Sequence, residues 1–196
     1  MKRPVAFYML LIMASIFLFF FLNLVLGSVS IPLRAVWNIL WGTGNESVIW
    51  QNIIWKSRVP QALTALAAGA GLSVSGLQMQ TVFRNPLAGP SVLGISSGAS
   101  MGVAFVVLLS GSLGGVALSK LGFMGEIALT IAAIAGSLSI MALIVFVSQK
   151  VRGNVTLLII GVMIGYIANA VIGVLKFFSV EEDIRAYVIW GFGSFA

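Results

Sequence analysis

Few side chains in this sequence of 196 residues could carry out catalytic chemistry. The sequence contains no cysteine and no histidine, which excludes disulfides, thiolate metal sites and the usual base of a catalytic serine. Residues 94–98 match the G-x-S-x-G pattern of a hydrolase nucleophile, but that chemistry needs a base. Three adjacent carboxylates at 181–183 could bind a cation, although a solvated loop is the favoured interpretation. We therefore expect no enzyme activity, no metal and no cofactor.

Polar residues at the ends of apolar segments are the next candidates for function. Lys56 and Arg58 lie two positions apart, just before an apolar segment. They could dock an acidic partner, or they could anchor the segment at the membrane interface. A second polar group between two apolar segments consists of Arg84, Asn85, Pro86 and Pro90. Because proline does not continue a helix, we expect a tight turn there.

The composition is that of an integral membrane protein. Apolar residues make up 60% of the chain and charged residues 8%, against roughly 25% charged residues in soluble domains. Mean hydropathy is +1.11. The net charge of +6 comes from cations scattered at segment ends, as in membrane proteins that anchor at interfaces. We therefore expect contact with lipid and no binding of nucleic acid.

Apolar segments of about 20 residues predict membrane-spanning helices. The predicted spans are 5–26, 62–81, 92–109, 127–149 and 155–175. Residues 28–58 lie between the first two spans and contain four of the five tryptophans. Tryptophan favours the headgroup layer, so this segment is predicted to lie along the membrane surface. The sequence thus predicts an all-α, polytopic helical bundle with five transmembrane helices in a single domain, 1–196.

Small residues recur four positions apart in four of the predicted spans. Gly94, Gly98 and Gly102 form one such ladder. The others are Gly69 and Ser73; Ala128, Ala132 and Gly136; and Gly161, Gly165, Asn169 and Gly173. Small residues let helix backbones approach closely in a membrane, so the ladders predict a compact bundle.

Three motifs resemble one known family, the FecCD-type permeases of importers for iron-siderophore, haem and vitamin B12. The motifs are Trp55-Lys56-Ser57-Arg58-Val59-Pro60-Gln61, Ser75-Gly76 to Gln80, and Arg84 through Ala99. The resemblance implies a dimer of ten-helix permeases, formed with a second copy or a paralogue. It further implies a cytoplasmic ABC ATPase dimer, an extracytoplasmic substrate-binding protein and an N-terminus on the cytoplasmic side of the inner membrane. Segment 28–58 would then be extracytoplasmic.

The resemblance also implies roles for individual residues. Arg58 matches an arginine that contacts the binding protein, whereas the second arginine of that pattern is Gln61 here, and Lys56 could compensate. The fifth helix would line the transport pathway, including Ile160 and Met163. Asn154, Val155 and Thr156 match the cytoplasmic gate. Arg84, Asn85, Pro86, Pro90 and the ladder from Gly94 to Gly102 would be structural.

The length of the chain departs from the pattern of the family. Members have about twice as many helices, and the sequence stops at Ala196, shortly after the fifth span. We therefore expect a truncated permease, corresponding to the N-terminal portion of an importer subunit for an iron complex or cobalamin. The alternative is a stand-alone five-helix channel or structural membrane subunit.

Overall fold

The structure, a computed structural model, describes residues 5–44, 46–112, 122–151 and 153–193. The helices described are α1 (Val5–Val25), α2 (Leu33–Trp41), α3 (Val48–Ile53), α4 (Val59–Phe83), α5 (Ile95–Ser112), α6 (Phe123–Ser148), α7 (Asn154–Phe177) and α8 (Glu181–Gly191). A π-helical turn, Ile54–Arg58, joins α3 to α4 without a break. Because these residues include no strand, the prediction of an all-α fold is confirmed.

Four helical stretches are long and apolar enough to cross a membrane. They are Val5–Val25, Val48–Phe83, Phe123–Ser148 and Asn154–Phe177. The remaining predicted span is α5, whose apolar part, Ile95–Leu109, is shorter. Its residues Val103 and Ala104 are completely buried, so α5 is mostly covered by protein instead of presenting a long lipid-facing surface. These helices make the chain a multi-pass membrane protein.

The described residues form two compact units that divide within α4, between Gly71 and Leu72. The core of the first unit combines the end of α1, one face of α2 and the π-helical turn. Its buried residues are Leu24, Ile31, Ala35, Val36, Ile39 and Ile54. Helix α2 ends at Gly42, whose φ of +68° is a left-handed conformation that favours glycine at a helix C-terminus. Trp37 and Trp41 lie on the opposite, exposed face of α2.

The second unit is organised around α5. One cluster joins α5 to α7 and α8 through Val103, Ala104, Val107, Leu108, Ile172 and Tyr187. A second cluster, at the other end of α5, consists of Phe83, Ala88, Leu93, Ile140 and Ile144. The Ser179 hydroxyl, just after α7, donates a hydrogen bond to the Leu108 carbonyl in α5 at 3.1 Å. Helix α5 is therefore the centre of this unit.

Glycines set the distance between α5 and α6. A Cβ atom added to Gly98 would lie 2.8 Å from the Gly136 carbonyl oxygen. One added to Gly102 would overlap the Ala132 carbonyl. The α5 and α6 ladders predicted from the sequence therefore face each other. The α4 ladder differs, because a Cβ on Gly69 would meet no atom within 4 Å.

Candidate functional site

Arg58 ends the π-helical turn and is buried, with 5% of its surface exposed. Its Nη1 donates hydrogen bonds to the carbonyl oxygens of Leu24, at 2.7 Å, and Val25, at 2.9 Å. Its Nη2 donates a third to the carbonyl of Val29. Leu24 and Val25 are the last residues of α1, whose terminal carbonyls have no partner within the helix. Arg58 therefore caps the C-terminus of α1.

Lys56 has a different environment from Arg58. Trp55, Lys56 and Ser57 are exposed, whereas Ile54 and Arg58 on either side of them are buried. The guanidinium of Arg58 lies inside the first unit and is held by three carbonyls.

The predicted turn after α4 is present, with Arg84 at its start. Arg84 has a φ of +48°, a left-handed conformation that costs a non-glycine residue about 1 kcal/mol or more. The Asn85 side chain accepts a hydrogen bond from the Leu87 N–H at 2.9 Å. Pro86 receives a hydrogen bond at its carbonyl from Gln80, at 3.2 Å. This network bends the chain sharply between α4 and α5.

The same region is tied to the start of α7, where the gate residues were predicted. The Asn154 amide donates a hydrogen bond to the Val82 carbonyl, in the last turn of α4, at 2.8 Å. Val155 and Thr156 follow it and are exposed. Asn154 therefore lies beside the last turn of α4, shortly before the turn at 84–90.

Helix α7 has two distinct faces. The face toward α5 carries Gly161, Gly165, Ala168 and Ile172, all buried. A Cβ on Gly161 would lie 2.8 Å from the Leu93 Cα atom, so the contact requires glycine. The other face is exposed and carries Val155, Ile159, Val162, Tyr166, Asn169 and Gly173.

The exposed face of α7 includes polar residues that the sequence analysis did not select as functional. Tyr166 is 67% exposed, and Asn169, which was interpreted as part of a packing ladder, is also exposed. Met163 is exposed on the adjoining side, and Ile160 is half-buried. Polar side chains inside a membrane span rarely face lipid, and they usually face the bundle interior or a water-filled cavity. The sequence does contain a signal for this face: Val162, Tyr166 and Asn169 are four and three residues apart, a spacing that places them on one side of a helix.

The acidic residues at 181–183 form the first turn of α8, not the solvated loop favoured from the sequence. Carboxylates are favourable at this position because the helix dipole is positive there. Asp183 is 7% exposed, and its Oδ2 has no hydrogen-bond partner in the described chain. Burial, together with the neighbouring Glu182, raises the pKa of Asp183. On the next turn, Tyr187 forms a hydrogen bond with Ser100 of α5, while burial raises the pKa of Tyr187.

Comparisons with known proteins converge on one family. The chain matches the FecCD transport family over residues 14–196. It is 35% identical to the hemin transport system permease HmuU of Yersinia pestis, over 86% of this chain and 47% of that protein. It is also 35% identical to the vitamin B12 import permease BtuC of Photorhabdus laumondii, over 95% of this chain and 51% of that protein. A third relative, the molybdate import permease MolB of Haemophilus influenzae, is 31% identical over 89% of this chain and 50% of its own.

A solved structure supports the same relationship. The fold is similar to that of a metal-chelate type ABC transporter in an inward-facing conformation, with a TM-score of 0.69 and 27% sequence identity. The similarity covers 92% of this chain and 51% of that one. The chain therefore spans about half the length of the relatives it matches.

Proposed function

Because this chain belongs to the FecCD transport family, we propose that it forms part of the membrane-spanning permease of an ABC importer. The cargo we propose is an iron complex, with a siderophore or as haem, or cobalamin. Relatives named for hemin and vitamin B12 support this class of cargo. Another relative is named as a molybdate import permease, so a test of the cargo should also include this oxyanion.

The observation that best supports the proposal is the exposed face of α7. It combines Tyr166 and Asn169 with apolar residues along the length of a helix that is apolar enough to span the membrane. The opposite face is closed against α5 through glycines. A membrane helix that packs tightly on one side and presents polar groups on the other is suited to line a pathway. We assign Ile160 and Met163 to the border of that pathway.

The proposed gate lies at the start of α7. Asn154, Val155 and Thr156 would form it, on the cytoplasmic side. The Asn154 hydrogen bond to Val82 supports this assignment, because it joins the first residue of α7 to the end of α4. The motif Arg84, Asn85, Pro86 and Pro90, with Gly94, Gly98 and Gly102, would hold α4, α5 and α6 in place.

The proposed assembly needs further chains. A second permease copy or paralogue would complete the pathway, and a separate cytoplasmic ATPase dimer would hydrolyse ATP. An extracytoplasmic binding protein would deliver the cargo, and it would dock at the π-helical turn that contains Lys56 and Arg58. We propose that the permease lies in the inner membrane. Its N-terminus would be in the cytoplasm, and segment 28–58 would be on the extracytoplasmic side.

The test is transport by the complete permease that contains this chain. It would be reconstituted in proteoliposomes with its ATPases and binding protein, and supplied in turn with ferric siderophore, haem, cobalamin and molybdate. We expect ATP-dependent uptake of one of the first three. Uptake of molybdate alone would contradict the proposed cargo, and flux that does not need ATP would favour the channel alternative.

A cysteine-labelling experiment tests the pathway directly. The sequence has no native cysteine, so Asn169→Cys would provide a single reactive thiol. We expect it to react with a water-soluble maleimide, whereas Ile134→Cys on the exposed face of α6 should react much more slowly. Equal, slow labelling of both variants in a transport-active complex would contradict the assignment of this α7 face.

A further inference from the structure

Helix α2 presents a stripe of large apolar side chains on its exposed side. Leu33, Trp37 and Trp41 follow one another at four-residue spacing, which places them along one side of the helix. They are 59%, 51% and 66% exposed, and the rings of the two tryptophans are 5.7 Å apart. Apolar patches of this kind mark surfaces that contact a partner or a membrane.

The opposite side of α2 fixes the direction in which this stripe points. Ala35, Val36 and Ile39 are buried there, in one cluster with Ile54 and Leu24. Rotation of α2 to cover the stripe would bring these three buried side chains to the surface. The stripe is therefore an outer surface of the first unit.

The end of α1 fixes the depth of α2 in the membrane. Helix α1 has 21 residues, and at about 1.5 Å per residue it is about 30 Å long, the thickness of the hydrocarbon core of a bilayer. Lys2 and Arg3 precede it in the sequence, so its last residues reach the opposite boundary of the core. The cluster that buries α2 contains Leu24, and Phe20 and Val25 also pack against it. Helix α2 therefore lies beside the last turns of α1, at the level of the lipid headgroups.

The residue types of the stripe suit this level. Tryptophan has an apolar ring and one polar N–H group, and it is enriched where hydrocarbon meets headgroups. Short amphipathic helices lie in this layer with their apolar side toward the acyl chains. Lipid would cover Trp37 and Trp41 at all times, whereas a protein that docks and dissociates would leave both rings in water between encounters.

Arg34 adds a cation to the same side of α2. It is exposed, and it precedes Trp37 and Trp41 by three and seven residues. Residues 1–71 contain one acid, Glu46, whose Oε1 accepts a hydrogen bond from the side-chain amide of Asn38 at 2.9 Å. The rigid fork of N–H groups in arginine matches the oxygens of a phosphate. An anionic headgroup would therefore complement the charge at this position.

We propose that this side of α2 is a lipid-contact surface with a preference for anionic phospholipid. Leu33, Trp37 and Trp41 enter the boundary between headgroups and acyl chains, and Arg34 binds the lipid phosphate. The sequence predicted only that segment 28–58 follows the membrane surface. The structure adds the side of α2 that meets lipid and the residue that selects the headgroup. The proposal depends neither on the cargo nor on the side of the membrane on which α2 lies.

The experiment measures the contact between lipid and a fluorophore on α2. The complete permease, without other cysteines, would carry Trp37→Cys labelled with NBD and would be reconstituted in phosphatidylcholine nanodiscs. Lipids brominated near the top of the acyl chain quench a fluorophore that they touch. The control is NBD at Thr43→Cys, which is exposed and lies just beyond Gly42, where α2 ends.

A second set of samples tests the role of Arg34. Brominated phosphatidylglycerol and brominated phosphatidylcholine would be compared as quenchers of the label at position 37, which gives the relative affinity of the two lipids. The variants are Arg34→Gln and, as the matched control, Lys56→Gln, which removes another exposed cation of the first unit.

We expect the label at position 37 to be strongly quenched by both lipids and the label at position 43 to be quenched much less. Phosphatidylglycerol should be preferred by about fivefold, the contribution of one basic residue near an anionic lipid surface. Arg34→Gln should abolish this preference, and Lys56→Gln should retain it. Should Trp37→Cys not assemble, Leu33→Cys reports on the same side of α2 and keeps both tryptophans.

Three results would overturn the proposal or its parts. Equal, weak quenching at positions 37 and 43 would show that the stripe does not contact lipid. If the label at position 37 is unquenched by lipid but shifts its emission when the purified binding protein is added, the stripe is a protein interface. If Arg34→Gln retains the preference for phosphatidylglycerol, Arg34 does not bind the lipid phosphate.

Discussion

Arg58 and Asp183 are the charged side chains that the described structure buries, and their surroundings differ. Arg58 has three carbonyl acceptors, so its burial is compensated. Asp183 has an oxygen with no hydrogen-bond partner among the described residues. Burial of this carboxylate favours its neutral form, because desolvation penalises the charge. The two residues therefore contribute oppositely to stability at neutral pH.

The raised pKa of Asp183 predicts how stability depends on pH. Just above the ordinary pKa of aspartate, the folded protein keeps a proton that the unfolded chain has released. Stability from this group is therefore present below the unfolded pKa and is lost as pH rises through the folded pKa. We expect Asp183→Asn, which cannot ionise, to raise the apparent melting temperature at pH 7 by roughly 2–4 °C.

The measurement is thermal unfolding of the detergent-purified protein from pH 4 to pH 8. Wild type should lose stability relative to Asp183→Asn as pH increases across this range. Glu181→Gln is the control, since Glu181 lies two positions away and is exposed. A variant that is less stable than wild type at pH 7 would show that Asp183 is ionised and paired in the folded protein.

At the scale of helices, packing in the second unit depends on where glycines meet backbone. Gly98 in α5 lies against Ile140 and the Gly136 carbonyl of α6. Gly173 in α7 has nothing within 4 Å of an added Cβ atom. The sequence gives both glycines the same four-residue spacing, but only the first lies in a helix crossing.

These two glycines form a matched pair for substitution. Gly98→Ala should destabilise the bundle, because overpacking typically costs about 1–3 kcal/mol. Gly173→Ala should be neutral or stabilising by up to about 1 kcal/mol, because alanine is the better helix former. Melting temperatures of the two variants in detergent provide the measurement. Equal effects of the two substitutions would contradict the close α5–α6 contact.

At the scale of the whole molecule, the five proposed spans do not by themselves give the orientation of the chain in the membrane. The cations do not give a clear bias between the two sides, so the orientation with the N-terminus inside rests on family resemblance. Thr43, after α2, and Val155, at the start of α7, are both exposed. In the proposed topology they lie on opposite sides of the membrane.

Single cysteines at these positions test the orientation. Thr43→Cys should react with an impermeant maleimide added outside intact cells, whereas Val155→Cys should react only after the membrane is opened. The cysteine-free parent protein provides the background. Labelling of both positions from the same side would contradict the proposed number of crossings, and the reverse pattern would contradict the orientation.

Much of the fold could be predicted from the sequence because its signals are local. The long apolar segments predicted the spans to within a few residues. The continuous helix from Val48 to Phe83 was not predicted. Its first part has the pattern of a separate amphipathic helix, and the π-helical turn that joins the two parts contains no glycine or proline, although Pro60 follows it in the first turn of α4.

Composition, apolar length and motif alone determined that this chain is a multi-pass helical membrane protein that resembles FecCD permeases. Each of those signals depends on residues that are close together in the sequence or on direct similarity to a known motif. Tertiary structure decided the environments of Arg58, Asp183 and Asn169. Arg58 is buried because the end of α1, about thirty residues away, offers carbonyls that need donors. Asp183 is buried because α8 packs on α5, and Asn169 is exposed because glycines turn the other face of α7 toward α5. Such contacts join residues that are distant in sequence, so no local pattern specifies them.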